Sequence, residues 1–377
     1  MIWTGDINEP FALGAEVGLY DTTLRDGEQT VGVVLDAEQK LEIARGLSGA
    51  GIRRIEAGFP RVSDDDYEAV RLIAAAGLEA EVWGFSRAVR GDVEALVELG
   101  VGATVIESPT SDLKLEAYGL DREEILRRVR DAVAYAAENR IRVCYFGVDG
   151  TRADRAFLRR AYETALEAGA TEIAVVDTLG IASPDAAYDL VGSVSDLGVP
   201  VHWHGHNDFG LATAAAVAAV RAGASWVHGT VNGMGERAGN ASLGEIALAL
   251  EALYGVNTGL KLDHVRALSD RIRELTGLGL EPWKPLFGEN LFRRESGAVA
   301  SQFHDPPSIE PYSADLVGAE RSIVLGKKSG IDSIRLKLEE LGLEVGEDRQ
   351  RELLAAVKRL GAEKRRLVTD DEFRGLL

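Results

Sequence analysis

The chain of 377 residues has one cysteine, Cys144, and fewer basic than acidic residues. A single thiol excludes a disulfide scaffold and a cysteine-based structural zinc site. The 42 Lys and Arg against 61 Asp and Glu give a formal charge of −19. Such an excess disfavours binding to the phosphate backbone of nucleic acids or to an anionic membrane. A small anionic substrate is not excluded, because a local basic pocket can form within an acidic surface.

Long hydrophobic runs are also lacking. The longest largely apolar run, residues 211–220 with Thr213 as its one polar residue, is too short to span a bilayer. The N-terminal segment MIWTGDINEP is acidic and contains proline, which is unlike a secretory signal. Because 46% of the residues are hydrophobic, the chain can bury a large core. These features predict a soluble, globular and cytoplasmic protein.

A recurring junction of helix, glycine and strand runs along much of the chain. Helical patterns such as residues 36–50 and 153–168 end at a glycine, and a short apolar run follows. Glycine is favoured just after a helix because the backbone there takes a positive φ angle. Alternating helices and buried strands predict parallel βαβ units. The junction glycines are Gly51, Gly77, Gly100, Gly169, Gly198 and Gly223.

The number of predicted strands determines the expected fold class. Eight strands alternating with helices are typical of an α/β protein with a (β/α)8 TIM barrel, and a doubly wound open sheet is the competing arrangement. The predicted strands cover residues 17–21, 52–57, 80–85, 103–107, 141–146, 171–177, 199–204 and 225–231.

The expected domains follow from this count. A barrel is expected over residues 18–281, after an N-terminal extension of residues 1–17. Prolines cluster over residues 282–311, so residues 282–377 are expected to form a linker and a small, mostly helical region. Amphipathic helices are predicted there over residues 329–342 and 348–360.

The active site of such a barrel lies at the C-terminal ends of the strands. Carboxylates, imidazoles and amides occur at many of these predicted ends, so they are expected to converge on one polar mouth. The positions concerned are residues 21–29, Glu56, Arg87, Asp177, Thr178, residues 204–208 and residues 232–240.

His204 and His206 are the strongest local signal. Residues i and i+2 of a strand point the same way, so both imidazoles can reach one metal ion. Two core or surface histidines are the alternative, but this pair ends a strand. A carboxylate and a neutral oxygen would complete a site for Mg²⁺ or Mn²⁺, with Zn²⁺ as the alternative. His202 on the same face is expected to support the pair or simply to be buried.

Two loops accompany the histidine pair. The segment DTTLRDGEQ, residues 21–29, places Arg25 beside acids. One carboxylate there can bind a metal while Arg25 stabilises an oxyanion, although such a charged cluster is often only a solvated loop. Residues 233–240 are rich in glycine, but their spacing does not fit the dinucleotide-binding G-x-G-x-x-G pattern. A tight loop that presents Asn240 to the site is the expected arrangement.

Three long motifs occur in order along the chain, and a fourth follows in the C-terminal region. LRDGEQ (24–29), HGHNDFGLA (204–212) and NGMGERAGNASLGE (232–245) resemble signatures of the DRE-TIM metallolyases. More narrowly, they resemble those of the homocitrate, 2-isopropylmalate and citramalate synthases, whose barrel is a pyruvate carboxyltransferase-like domain. LVGAERSIVLGKKSG (316–330) extends the resemblance into a region that the synthases have and the related lyases lack.

The resemblance implies a Claisen condensation. Acetyl-CoA, or another acyl-CoA, adds to a 2-oxo acid, and thioester hydrolysis then releases CoA and a 2-hydroxy dicarboxylic acid. The implied partners are these small molecules, with no nucleic acid or membrane, and the implied assembly is a homodimer or a higher homo-oligomer.

The resemblance also implies roles for individual residues. Arg25 would stabilise charge on the ketone oxygen, and Tyr312 would reach the active site. The implied metal ligands are Asp26, His204, His206 and Asn240, and the implied substrate-binding residues are Gln29, Glu56, Arg87 and Thr178.

Two positions depart from the family pattern. Val299 stands where an E-[SA]-G-x-H stretch would have histidine, and Val148 stands where the fifth strand would end in glutamate. Valine cannot relay a proton, so the general base is left open, and Glu295, His304 and Tyr312 are the candidates. A carbon–carbon lyase or aldolase on the same metal platform, and a catalytically silent metabolite-binding paralogue, are the alternative functions.

Overall fold

The computed structural model describes residues 1–14 and 16–377. The chain divides into two compact units, one of residues Asn8–Gly279 and the other of Met1–Ile7 together with Leu280–Leu377. None of the described helices combines the length and the apolar character needed to cross a membrane.

The larger unit is a closed barrel of eight strands in sequence order. All neighbouring strands are parallel, including the pair of first and last strands that closes the barrel. The predicted (β/α)8 TIM barrel is therefore confirmed, and the open sheet is excluded. The strands are β1 (Gly18–Asp21), β2 (Arg54–Glu56), β3 (Glu81–Arg87), β4 (Ala103–Pro109), β5 (Arg142–Val148), β6 (Glu172–Asp177), β7 (Val201–Gly205) and β8 (Trp226–Gly229).

Helices follow the strands, and several of them, such as α1, begin with a side-chain cap. The Asp36 side chain accepts a hydrogen bond from the Gln39 N–H at 2.8 Å, and the Gln39 side chain accepts one from the Asp36 N–H at 3.0 Å. This capping box satisfies N–H groups that the first helical turn leaves free. The helices are α1 (Ala37–Gly49), α2 (Asp64–Ala75), α3 (Arg90–Glu98), α4 (Asp112–Tyr118), α5 (Arg122–Glu138), α6 (Arg155–Glu167), α7 (Pro184–Gly192), α8 (Ala212–Arg221), α9 (Leu243–Tyr254) and α10 (Leu262–Thr276).

The six junction glycines all have positive φ angles, as predicted. Gly51 shows the strongest requirement, because its φ is +93° and a Cβ there would lie 2.3 Å from the carbonyl oxygen of Gly259. Gly77 has a φ of +63° but faces open space. These turns lie where the chain enters the strands, at the end of the barrel opposite the expected active site.

Alternate residues of the strands fill the barrel lumen with apolar side chains. Cys144 is one of them, and burial raises the pKa of its thiol well above the usual range, so it remains an inert thiol. The apolar lumen residues are Tyr20, Trp83, Phe85, Ala103, Val105, Cys144, Phe146, Ala174 and Val176.

A buried polar network accompanies this core. Arg54 and Glu172 form two hydrogen bonds of 2.6 and 3.1 Å. The same carboxylate lies 2.6 Å from His202 Nε2, and His202 Nδ1 lies 2.8 Å from His228 Nε2. His202 is thus held by a carboxylate and a second imidazole, two residues before His204 on β7.

The smaller unit has an apolar core of its own. The two predicted amphipathic helices are present as α12 and α13. The elements of this unit are β9 (Arg293–Arg294), α11 (Gly297–Ala300), β10 (Ser322–Ile323), α12 (Ile331–Glu340), α13 (Glu347–Lys364) and α14 (Asp370–Arg374). The core residues include Ile334, Leu338, Leu353, Val357 and Phe373.

Candidate active site

Asp26, His204 and His206 lie together at the C-terminal end of the barrel strands. All three are buried, and their potential ligand atoms lie within 4.8 Å of one another. The Nε2 atoms of His204 and His206 are 3.2 and 3.7 Å from Asp26 Oδ2. The structure therefore brings together three of the four expected metal ligands.

A tight turn after β1 positions the first of these residues. The Thr22 carbonyl accepts hydrogen bonds from the N–H groups of Arg25, Asp26 and Gly27, at 3.2, 2.8 and 3.0 Å. Three bonds to one oxygen fold the chain back on itself. This tight turn places the side chains of both Arg25 and Asp26 at the barrel mouth.

Asn240 joins the cluster through the Gly-rich loop. It pairs with His206 in an isolated antiparallel bridge, and its Nδ2 donates to the Met234 carbonyl at 2.9 Å. That hydrogen bond leaves Oδ1 as a free acceptor. Gly235 is required here, because its φ is +152° and a Cβ would lie 2.3 Å from Asn240 Nδ2.

The donor atoms of the cluster are suited to a cation. Asp26 Oδ2 and Asn240 Oδ1 are buried and have no hydrogen-bond partner among the described residues, although Oδ2 is near His204. Both imidazoles face the Asp26 carboxylate with their Nε2 atoms. Buried acceptors without partners are costly unless a cation or water satisfies them. Two imidazoles, a carboxylate and an amide oxygen form a reasonable ligand set for a divalent metal.

The protonation states favour metal binding as well. Burial alone would raise the pKa of Asp26, but Arg25 and the two imidazoles outweigh it and hold that pKa well below its usual range. Burial lowers the pKa of His206 to about 4, against the opposing pull of Asp26. The carboxylate is therefore ionised and His206 is neutral near pH 7, as metal ligands must be.

Arg25 is fixed beside the cluster. Its Nε donates to Glu56 Oε1 at 2.8 Å, and one terminal nitrogen lies 3.5 Å from Asp26 Oδ2. The guanidinium also covers the Phe85 ring at 4.2 Å. Burial raises the pKa of Glu56, and Arg25 opposes that rise. The Glu56 carboxylate thus fixes the orientation of the charged Arg25 guanidinium at the mouth.

A cavity of about 270 Å³ opens beside Arg25. Gln29, expected to bind substrate, lines it, and so do the apolar side chains of Phe59, Val62 and Phe85. Arg87 lies behind this wall, over the Phe59 ring at 5.3 Å, and its guanidinium is paired with Asp92 at 2.7 Å. The cavity thus combines Arg25 with apolar walls and with the carboxylates of Glu28 and Asp66, both of which pair with Lys40.

Thr178, expected to bind the substrate carboxylate, lies directly after β6. Its hydroxyl oxygen accepts a hydrogen bond from the Asp149 N–H at 2.8 Å. The hydroxyl proton is left to donate elsewhere. This arrangement is compatible with a hydrogen bond from Thr178 to an anionic substrate.

The three acid–base candidates of the C-terminal region lie in the smaller unit. Glu295 Oε1 accepts the Lys328 N–H at 2.9 Å. His304 is exposed, and the Tyr312 ring lies 5.9 Å from that of Phe292. Their catalytic roles stay predictions.

One residue of the mouth was not marked by any motif. Glu107, near the end of β4, is partly buried, and its pKa is raised by burial to about 7. The sequence around it, TVIESP, has only the pattern of a buried strand. Its position becomes evident only when the strands are in register.

Comparison with known proteins identifies the family. The model of the HMGL-like family matches residues 16–272, which include all eight barrel strands. The chain belongs to the HMGL-like family. A second family model, the homocitrate synthase post-HMGL domain-like region, matches residues 286–365, so the resemblance to synthases seen in the motifs is confirmed in both parts of the chain.

Relatives of this HMGL-like chain carry synthase names. It is 44% identical to a homocitrate synthase of Methanopyrus kandleri, over 95% of this chain and 91% of the relative. It is 40% identical to a 2-isopropylmalate synthase of Sulfolobus acidocaldarius, over 94% of each. Among solved structures, the HMG-CoA lyase of Bacillus subtilis has a TM-score of 0.63 at 20% identity, covering 71% of this chain and 96% of the lyase. That structural likeness shows the shared barrel fold.

Proposed function

We propose that this chain is a divalent-metal-dependent enzyme that condenses acetyl-CoA, or another acyl-CoA, with a 2-oxo acid. Thioester hydrolysis then yields a 2-hydroxy dicarboxylic acid and CoA. Similar proteins are named homocitrate, 2-isopropylmalate and citramalate synthases. The match to a homocitrate synthase post-HMGL region supports a synthase rather than a lyase.

The juxtaposition of the ligand cluster and Arg25 carries this proposal. Asp26 is itself one of the potential ligands, and Arg25 lies 3.5 Å from it. In a condensation, negative charge develops on the ketone oxygen as the carbon–carbon bond forms. A fixed guanidinium beside that oxygen stabilises the charge, and such contributions are among the largest in enzyme catalysis.

Mg²⁺ or Mn²⁺ is the proposed ion, with Zn²⁺ as the alternative. Asp26, His204, His206 and Asn240 would hold it, and mixed oxygen and nitrogen donors suit such an ion. When bound, the cation would act as a Lewis acid on the oxo acid and would orient it.

The remaining roles in substrate binding are assigned to Thr178, to Gln29 in the cavity, and to Glu56 and Arg87, which support its lining. Thr178 would donate its hydroxyl proton to the substrate carboxylate, which its bond from the Asp149 N–H supports. Gln29 lines the cavity directly, while Glu56 orients Arg25 and Arg87 backs the Phe59 wall. A homo-oligomeric, cytoplasmic enzyme remains our expectation.

A thiol-release assay tests the function. Purified protein is given acetyl-, propionyl- and longer acyl-CoAs with a panel of 2-oxo acids and Mn²⁺, and free CoA is followed with a thiol reagent. We expect release that depends on the oxo acid and is abolished by EDTA. Absence of release across the panel, together with formation of oxo acid or acetyl-CoA from 2-hydroxy acids or their CoA esters, would identify a lyase instead.

A further inference from the structure

Glu107 occupies the lumen face of β4 at the barrel mouth. Ala103 and Val105 on the same strand belong to the lumen core, and side chains alternate along a strand, so Glu107 points to the same side. Its register partner on β5 is Phe146, whose ring lies 5.0 Å from that of His204. Glu107 is therefore one strand away from a residue that contacts the ligand cluster.

The carboxylate of Glu107 has no hydrogen bond or ion pair within residues 1–14 and 16–377. Its register partner on β3 is Arg87, but Arg87 makes two hydrogen bonds to Asp92, of 2.7 and 3.1 Å. Arg25 is likewise held by Glu56. Both arginines are thus already paired with other carboxylates, and Glu107 keeps its lone pairs free.

The surroundings of Glu107 place its pKa in the range where a carboxylate can take up and release a proton near neutral pH. Burial raises its pKa to about 7, Glu56 adds to the rise, and Arg25, Lys114 and Arg87 oppose it. A general base works best when its pKa is close to the operating pH. The rise has a geometric origin, because the group is partly buried at the barrel mouth and has no ion-pair partner among the described residues.

The end of the neighbouring strand β5 has an apolar residue where it faces the mouth, so a base at this point must come from another strand. Val148, at the end of β5, packs against the lumen core and offers no titratable group. Val148 pairs in register with Pro109, two residues beyond Glu107 on β4. A carboxylate on β4 therefore enters the same part of the mouth from one strand over.

We propose that Glu107 is the general base of the condensation, a role that rests on the proposed function. Its carboxylate removes a proton from the α-carbon of the acyl thioester. The electron pair of that C–H bond forms the new bond to the oxo-acid carbonyl carbon, and the carbonyl π pair moves to the oxygen beside Arg25. The proton on Glu107 then passes to this alkoxide, so the carboxylate is regenerated before water cleaves the thioester.

Glu107→Gln tests the assignment, since it keeps the shape of the side chain and removes the base. The assay uses the full chain with Mn²⁺, acetyl-CoA and the 2-oxo acid that the wild type uses best. We expect kcat to fall by about 10²–10⁴-fold, with an unchanged KM for the oxo acid and unchanged Mn²⁺ affinity. Glu107→Asp should recover part of the loss. Glu116→Gln, at an exposed position on α4, is the matched control and should leave kcat unchanged.

The pH profile provides a measurement that does not depend on the variant folding. With Glu107 as base, kcat/KM of the wild type should fall by about tenfold per pH unit below about pH 7. A profile that is flat between pH 6 and 8 would overturn the proposal, and so would a Glu107→Gln enzyme with wild-type kcat. A wild type that releases no CoA from any pair of substrates would instead refute the condensing function itself.

Discussion

Arg25 and Glu56 form a charge-assisted pair inside the barrel mouth, with Nε donating to Oε1 at 2.8 Å and a terminal nitrogen 3.4 Å from Oε2. Both partners are largely removed from water, with 10% and 0% of their side-chain surfaces exposed. Such a pair has little freedom to reorient. The direction in which Arg25 presents its charge is therefore set before any substrate arrives.

Replacement of Arg25 should affect catalysis more than binding of the ion. For Arg25→Met we expect kcat for CoA release to fall by about 10²–10³-fold, because the developing oxyanion loses its fixed charge. Mn²⁺ affinity, measured by calorimetry, should be largely retained. Arg90→Met removes an exposed arginine of α3 that pairs with Glu94 and should leave kcat unaltered. Full activity of Arg25→Met would exclude the oxyanion role.

Replacement of a proposed ligand should act on the ion itself. His206→Ala is expected to weaken Mn²⁺ binding by at least about tenfold, as ligand-shell changes typically do, and to abolish oxo-acid-dependent CoA release. His264→Ala is the matched control, because His264 is 54% exposed and lies on α10. Equal Mn²⁺ binding by the two variants, measured by titration calorimetry, would contradict the assigned site.

The Arg54–Glu172 pair should make the free energy of unfolding depend on pH in the acid range. Burial raises the pKa of Glu172, but hydrogen bonds from His202 and Arg54 outweigh this and lower the pKa to about 2, from an ordinary value of 4.5. A depressed carboxyl pKa stabilises the fold above the unfolded-state value, and that contribution is lost as the pH falls through the folded-state value. The loss should therefore occur between about pH 5 and pH 2.

Urea unfolding of Glu172→Gln at several pH values measures this contribution. At pH 7 the variant should be less stable by about 3 kcal/mol, because Arg54 loses its buried partner. The difference from the wild type should shrink steadily as the pH falls below about 5. Glu167→Gln, at an exposed position at the end of α6, should track the wild type throughout. A difference that does not change with pH would show that the ionised form of Glu172 contributes nothing.

The junction glycines allow backbone strain and steric conflict to be separated. Gly77→Ala meets open space at a φ of +63°, so it should cost about 1 kcal/mol for the left-handed backbone alone. Gly51→Ala adds a clash with the Gly259 carbonyl oxygen at 2.3 Å and should cost roughly 2–4 kcal/mol. Thermal unfolding of the two variants, compared with the wild type, checks the order. Equal losses of stability in the two variants would mean that the loop around Gly259 moves to relieve the clash at little cost.

Much of the architecture could be predicted because its signals are local. Six of the eight strands follow a helical segment and a glycine such as Gly51 or Gly223, and each of these glycines has a positive φ angle. The ligand cluster is local in the same sense. His204 lies on β7 and His206 directly follows its end, and Asp26 lies in a loop folded on the Thr22 carbonyl.

The parts that could not be predicted depend on contacts between distant strands. Arg54 and Glu172 are 118 residues apart, and no pattern along the chain connects them. Glu107 required two further facts, namely the register of β4 against β3 and β5, and the pairing of Arg87 with Asp92. The sequence around a single glutamate in an apolar strand indicates neither the register of the strands nor the pairing of Arg87.

The two ends of the barrel have separate tasks in this chain. The left-handed glycine turns fix the rim where the chain enters the strands, while the ligands and Glu107 lie at the rim where it leaves them. An engineer can therefore diversify the exit rim to change which oxo acid is accepted while keeping the entry rim constant. Variants that change stability can then be sought at the entry rim, and variants that change the accepted oxo acid at the exit rim.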